Sequence, residues 1–203
     1  MNKWIMAGTA AAFTGAAAFA RSEYERTHLD VVHYDIKTDK LGLEWNGFKA
    51  VFLSDLHDNS FGMENEELIA AIEKEQPDIV LIGGDMLVVK EWAAPHFDML
   101  ANLYEKLVER YPVYYAFGNH EQRMKEEPLT YSGWWQSYWK VLKDSGMHVL
   151  VNKSEEIIKN GGTMRISGIT LPRECYRKGR IPSLSAGYLD QKLGKASDKN
   201  FEL

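Results

Sequence analysis

The chain has 203 residues, a net charge of −5 at pH 7, and apolar and charged fractions of 45% and 26%. That length holds one sizeable domain and the composition excludes global disorder. The acidic balance argues against a generic nucleic-acid binder, and the lone cysteine, Cys175, excludes an intrachain disulfide and a cysteine-based zinc site.

Lys3 precedes an uncharged run, Trp4 to Ala20, which Arg21 closes. A positive start, an apolar stretch and the small-residue pattern Ala18-Phe19-Ala20 fit a secretory signal. The run is slightly shorter than the roughly 20 residues of a comfortable membrane span, and it is rich in Ala, Gly and Thr. Residues 1–21 are therefore expected to be a signal peptide or an uncleaved membrane anchor. Either places the rest of the chain at the cell membrane or outside the cytoplasm. Residues 22–47 read as a polar tether and an edge strand, since Val32, Tyr34 and Ile36 alternate with polar neighbours. Gly42 and Asn46-Gly47 mark turns.

A repeating unit begins at Phe48 and opens an expected domain over residues 48–203. Ala50–Leu53 is an apolar strand. Asn65 is placed to cap a helix with an inner stripe of Leu68, Ile69 and Ile72, which Pro77 stops. Ile79–Ile82 is a second strand. Pro95 opens a longer helix with Leu100, Leu103, Tyr104, Leu107, Val108 and Tyr111 at helical spacing. Val113–Phe117 is a third strand. Trp135, Tyr138, Trp139 and Leu142 line another helix, closed by Gly146, and Val149–Val151 belongs to a fourth strand. Apolar strands alternating with helices imply an α/β fold with a parallel sheet covered on both faces. The Met and aromatic residues on these helices read as core. After Asn152, Glu156–Ile158 and Met164–Ile169 flank Lys159-Asn160-Gly161-Gly162 as a hairpin. Residues 172–200 are expected to be irregular; their basic cluster, Arg173, Arg177, Lys178 and Arg180, reads as solvated surface, with a phosphate contact as the alternative.

The chemistry lies at the strand ends. The first strand is followed by Asp55-Leu56-His57, the second by Gly83-Gly84-Asp85, the third by Gly118-Asn119-His120-Glu121. Sites in parallel α/β sheets form beyond the carboxyl ends of the strands, so these blocks are expected to share one crevice. Asp and His suit mid-sized transition metals. Continued extended geometry would put Asp55 and His57 on one side with Leu56 turned to the core. Asp85 can bridge two ions, Asn119 offers a neutral oxygen, and His120 is expected to face substrate. Gly83-Gly84-Asp85 does not match G-x-G-x-x-G, which weakens a Rossmann-type nucleotide reading.

Taken together, these blocks resemble the calcineurin-like metallophosphoesterases, whose pattern runs D-x-H, G-D, G-N-H-[D/E], then H and G-H-x-H. The hydrophobic start before Ser54-Asp55-Leu56-His57 looks most like the bacterial membrane-associated branch. The resemblance implies a four-layer αββα sandwich and hydrolysis of phosphoester bonds. It implies two divalent ions (Mn, Fe or Zn), with metal-bound hydroxide attacking phosphorus. Carried over by position, Asp55 and His57 would hold the first ion, Asp85 both, and Asn119 the second. His120 would be the acid or charge stabiliser. The implied substrate is a small phosphoester, nucleotide- or lipid-linked, with the membrane reached through the N-terminal segment and no nucleic acid expected.

The chain departs from the pattern at its end. Its histidines are His28, His33, His57, His96, His120 and His148. Only His148 follows Glu121, in a strand away from the metal blocks, and no Gly-His-x-His occurs. The expectation is an N-terminal part of a longer enzyme, with little or no turnover by itself. The alternative is a non-catalytic binding or scaffold protein that retains the fold.

Overall fold

The computed structural model describes residues 14–24, 27–131, 133–177, 179, 182–197 and 200–203. The signal or anchor expectation falls largely on residues 1–13, outside the described residues, as do Lys178 and Arg180 of the basic cluster. Residues 14–24 are helical. Among the described residues no helix is long and apolar enough to cross a membrane.

Four strands, β1 (Ala50–Leu53), β2 (Ile79–Ile82), β3 (Val113–Ala116) and β4 (His148–Leu150), form a parallel sheet in the order β1-β2-β3-β4. The connections run through α1 (Glu66–Glu75), α2 (Phe97–Val108), α3 (Asn119–Glu126) and α4 (Trp134–Asp144). Side chains alternate across each strand, so the sheet builds two cores. Val80, Ile82, Val113 and Tyr115 pack with Leu68, Ile69 and Ile72 of α1, Leu100, Leu103, Tyr104 and Leu107 of α2, and Tyr138 and Leu142 of α4. Burying each such Leu or Ile contributes about 1.5–3 kcal/mol, which is why the apolar stripes, rather than helix propensity, fix these elements.

The opposite face is covered by the expected hairpin rather than by helices. Ile79, Leu81, Tyr114 and Leu150 form a smaller core with Ile166 of a hairpin, β5 (Lys153–Lys159) and β6 (Gly162–Gly168). Asn160 and Gly161, at φ 50° and 87°, make its two-residue turn. Phe201–Leu203 continues this layer: Leu203 N–H donates to Arg165 C=O at 2.9 Å, and Ser167 N–H to Leu203 C=O at 2.8 Å. The result is an α/β fold with helices on one face of a parallel sheet and a second β layer on the other.

Other local expectations are corrected. Residues 28–38 form no strand; Val32, Tyr34 and Ile36 are exposed, and His33 Nε2 instead meets Glu75 Oε2 of α1 at 2.9 Å. Asn65 precedes α1 but sits at φ 62° without capping it; its Oδ1 accepts from Phe61 N–H. The stretch 172–200 contains a 3-10 turn, Arg173–Tyr176, and a short helix, α5 (Tyr188–Leu193). Asn119, His120 and Glu121, to which the sequence assigns no element, form the first turn of α3.

Candidate metal centre

Three strand ends converge because glycines let their backbones touch. Gly84 has φ 90°, and a Cβ there would lie 1.9 Å from Gly118 N. A Cβ on Gly118 would lie 2.3 Å from Asp85 Oδ1. No other residue fits either position, so the loop after β2 and the start of α3 are pressed together.

The loop after β1 is stitched to the same place. Asp55 N–H donates to Gly84 C=O (3.1 Å), His57 N–H to Asp85 C=O (3.1 Å) and Asp58 N–H to Met86 C=O (3.0 Å). Asp58 also accepts from Val88 N–H at 2.8 Å and His96 N–H at 3.3 Å. These bonds hold Asp55, His57, Asp58 and Asp85 at φ 51–58°, a region costing non-glycine residues of order 1–3 kcal/mol each. Asp55 and His57 do lie together with Leu56 buried, but the extended geometry expected from sequence is wrong. Left-handed residues, rather than a continued pleat, produce the arrangement.

The ligand atoms of Asp55, His57 and Asp85 all lie within 4.8 Å of one another, the one such acid–histidine group among the described residues. His57 Nε2 is 3.6 Å from Asp55 Oδ1, and Ser54 O–H donates to Asp55 Oδ2 at 2.5 Å. Asp85 is buried while Asp55 and His57 are exposed, so the group opens to solvent. Two carboxylates and an imidazole are a fitting donor set for a divalent ion. Asn119 adjoins it. The amide orientation that satisfies its neighbours donates to Asp85 Oδ2 at 2.9 Å and accepts from His120 N–H at 3.2 Å.

His120 stands outside the acid–histidine group but beside it, its ring centroid 5.2 Å from that of His57. Its backbone N–H donates to Asp85 Oδ1 at 2.7 Å. Burial holds the imidazole below its usual pKa, opposed by the Asp85 charge. His148 is elsewhere, paired with Glu155 at 2.7 Å and stacked on Tyr114.

Sequence reasoning gave no role to Glu121, and the structure gives it a large one. Its fully buried carboxylate accepts from Asp85 N–H (2.9 Å), Met86 N–H (3.1 Å), Gly118 N–H (3.0 Å) and Tyr115 O–H (2.9 Å). Burial pushes its pKa up to about 7 against the pull of these donors. One side chain thus ties the Asp85 loop to the Asn119–His120 turn. A Glu at the third helical position was the available signal, since it commonly reaches back to the backbone N–H at the helix start.

The family model for calcineurin-like phosphoesterases matches residues 48–193. Similarity extends to YkoQ of Bacillus subtilis (strain 168), described as an uncharacterized metallophosphoesterase: 32% identity over 138 residues, covering 67% of this chain and 48% of that protein. The phosphodiesterase YaeI of Escherichia coli (strain K12) is 29% identical over 113 residues, covering 54% of this chain and 38% of YaeI. The matches thus span about half or less of the length of these curated relatives. Family model, fold and clustered site residues agree: the chain belongs to the calcineurin-like phosphoesterase family.

Proposed function

We propose that this chain carries one side of a two-ion phosphoesterase centre. The observation that carries the reading is the convergence of Asp55, His57 and Asp85 ligand atoms within 4.8 Å. Asp55 and His57 would hold one ion, Asp85 both, and Asn119 the second, after its amide turns its oxygen toward Asp85. When bound, the ions supply Lewis acidity toward phosphoryl oxygens and a nucleophile at neutral pH. The protein's own part is positional. Glu121 and the glycine contact fix Asp85 against Asn119. The cross-loop bonds hold Asp55 and His57 in place. His120 stands where it can meet charge developing on a phosphoryl group.

Four side chains are few for two ions, so turnover by the 203-residue chain is expected to be slow. The substrate class is a small phosphodiester or phosphomonoester, nucleotide- or lipid-linked. An address at the membrane or outside the cytoplasm is supported by the uncharged run Trp4–Ala20 between Lys3 and Arg21. The test is hydrolysis of bis-p-nitrophenyl phosphate with and without Mn²⁺, comparing wild type with Asp85→Ala. Slow Mn²⁺-dependent turnover that the variant loses supports the reading. Equal rates in both, or no Mn²⁺-dependent rate from a chain that binds Mn²⁺, would contradict it.

A further inference from the structure

We propose that Arg123 and the Val89 peptide form a clamp that fixes the tautomer and orientation of His120, making Arg123 a positioning residue for this site. The inference rests on the phosphoesterase reading for its functional meaning and on local geometry for its substance. Arg123 lies one turn beyond His120 on α3. Its guanidinium Nη2 donates to Val89 C=O at 2.8 Å and contacts His120 Nδ1 at 3.2 Å. Val89 N–H points at the same Nδ1, 2.9 Å away. The guanidinium carbon also lies over the Tyr131 ring, 6.0 Å from its centroid.

The chemistry of the partners decides the tautomer. A backbone N–H and a guanidinium N–H can only donate. Nδ1 therefore presents its lone pair to both, and the single proton of the neutral ring sits on Nε2. The clamp is also closed on itself, since Arg123 grips the carbonyl of the same residue whose N–H faces the imidazole. A ring held this way offers an Nε2–H donor to a phosphoryl or leaving-group oxygen. It has no free lone pair with which to take a proton from water. It can act as a general acid only after both donors leave Nδ1. Of the two roles that the motif left open for His120, the clamp assigns charge stabilisation by hydrogen bonding, with the proton staying on Nε2.

Nothing about this arrangement is visible in the motif. Val89 and His120 are distant in sequence, and the contact on the ring is a peptide group that any residue at position 89 could supply. Arg123 looks like an ordinary charge on a polar helix.

The test reads the ring directly. Long-range ¹H–¹⁵N spectra of the full chain, recorded without metal and with diamagnetic Zn²⁺, report which His120 nitrogen carries the proton. The expected wild-type result is a protonated Nε2 and an unprotonated Nδ1. In Arg123→Met, the two nitrogen shifts should move toward each other as the second tautomer becomes populated. Arg123→Lys, which keeps one donor, should restore part of the separation. In the Mn²⁺-supported diester assay, Arg123→Met should lower kcat about tenfold and leave KM unchanged. A proton on Nδ1 in the wild type, or ring shifts in Arg123→Met identical to wild type, would overturn the proposal. So would a loss confined to KM. If Arg123→Met does not fold, the wild-type and Arg123→Lys spectra decide. The ring spectrum needs no turnover, so an inactive chain with the expected tautomer would refute the hydrolase reading and leave the clamp standing.

Discussion

Three tyrosine hydroxyls form a buried line that ends on Glu121. Tyr104 and Tyr138 hydroxyls are 2.7 Å apart, Tyr138 and Tyr115 are 2.6 Å apart, and Tyr115 donates to Glu121 at 2.9 Å. All three residues are fully buried, and burial raises each hydroxyl's pKa, so they are neutral. The carboxylate sets the direction. Tyr115 spends its proton on Glu121, so Tyr138 donates to Tyr115 and Tyr104 donates to Tyr138. Tyr138→Phe removes the middle hydroxyl. Tyr104 then keeps a buried donor with no acceptor, costing about 1–3 kcal/mol, and Tyr115 loses a neutral hydrogen bond worth about 0.5–1.5 kcal/mol. The sum is about 1.5–4.5 kcal/mol. At about 2–4 °C per kcal/mol for a domain of this size, the midpoint should fall by about 3–18 °C. Tyr104→Phe removes only the terminal donor and should cost about 0.5–1.5 kcal/mol. The double variant removes the orphan along with its cause, so it should cost no more than Tyr138→Phe alone, a coupling of about 1 kcal/mol or more. Urea and thermal unfolding followed by circular dichroism measure all three. A Tyr138→Phe cost below about 0.5 kcal/mol, or full additivity in the double variant, would refute the directional chain.

Gly84→Ala should be far costlier than Gly146→Ala. Both have positive φ, which penalises a Cβ by about 1–2 kcal/mol, but the Cβ at 84 also strikes Gly118 N at 1.9 Å while that at 146 finds Val108 at an ordinary 3.6 Å. Equal midpoints for the two variants would contradict the strand-end contact. Glu155 is hydrogen-bonded to Lys153 and to His148, which hold its carboxyl below the usual range, Lys153 most strongly. A depressed carboxyl pKa stabilises the fold above its unfolded value near 4.5 and loses that contribution as pH falls through the folded value. Glu155→Gln should therefore flatten the acid side of the stability–pH curve, by no more than about 1 kcal/mol for so exposed a pair. An unchanged slope below pH 5 would show the pair contributes nothing.

The parts of the fold legible in sequence were those fixed by apolar burial. The run Ile79–Ile82 is a strand buried along its whole length, and Leu100, Leu103, Tyr104 and Leu107 line the inner face of α2 as their spacing requires. What escaped was held by polar geometry. Helix α3, Asn119–Glu126, has almost no apolar stripe, and its start is secured by the Glu121 carboxylate rather than by periodicity. Asp55 and His57 were placed on the correct side for the wrong reason, because their left-handed backbone depends on carbonyls contributed by Gly84 and Asp85. The candidate ligands were readable because they recur at strand ends. Arg123 and the Val89 peptide were not, because Val89 is far from both Arg123 and His120 in sequence; for Glu121 only the reach back to Gly118 N–H was readable, not the bonds to Asp85 and Met86.

On the proposed reading, Asp85 anchors a metal site shared with Asp55 and His57. Isothermal titration of Mn²⁺ into the metal-free chain, wild type against Asp85→Asn, tests it most directly. Saturable binding by the wild type that the variant loses, with both proteins giving the same far-ultraviolet circular dichroism, is the expected result. A wild type that takes up no Mn²⁺, or a variant that binds it as tightly, would show that Asp85 anchors no such site.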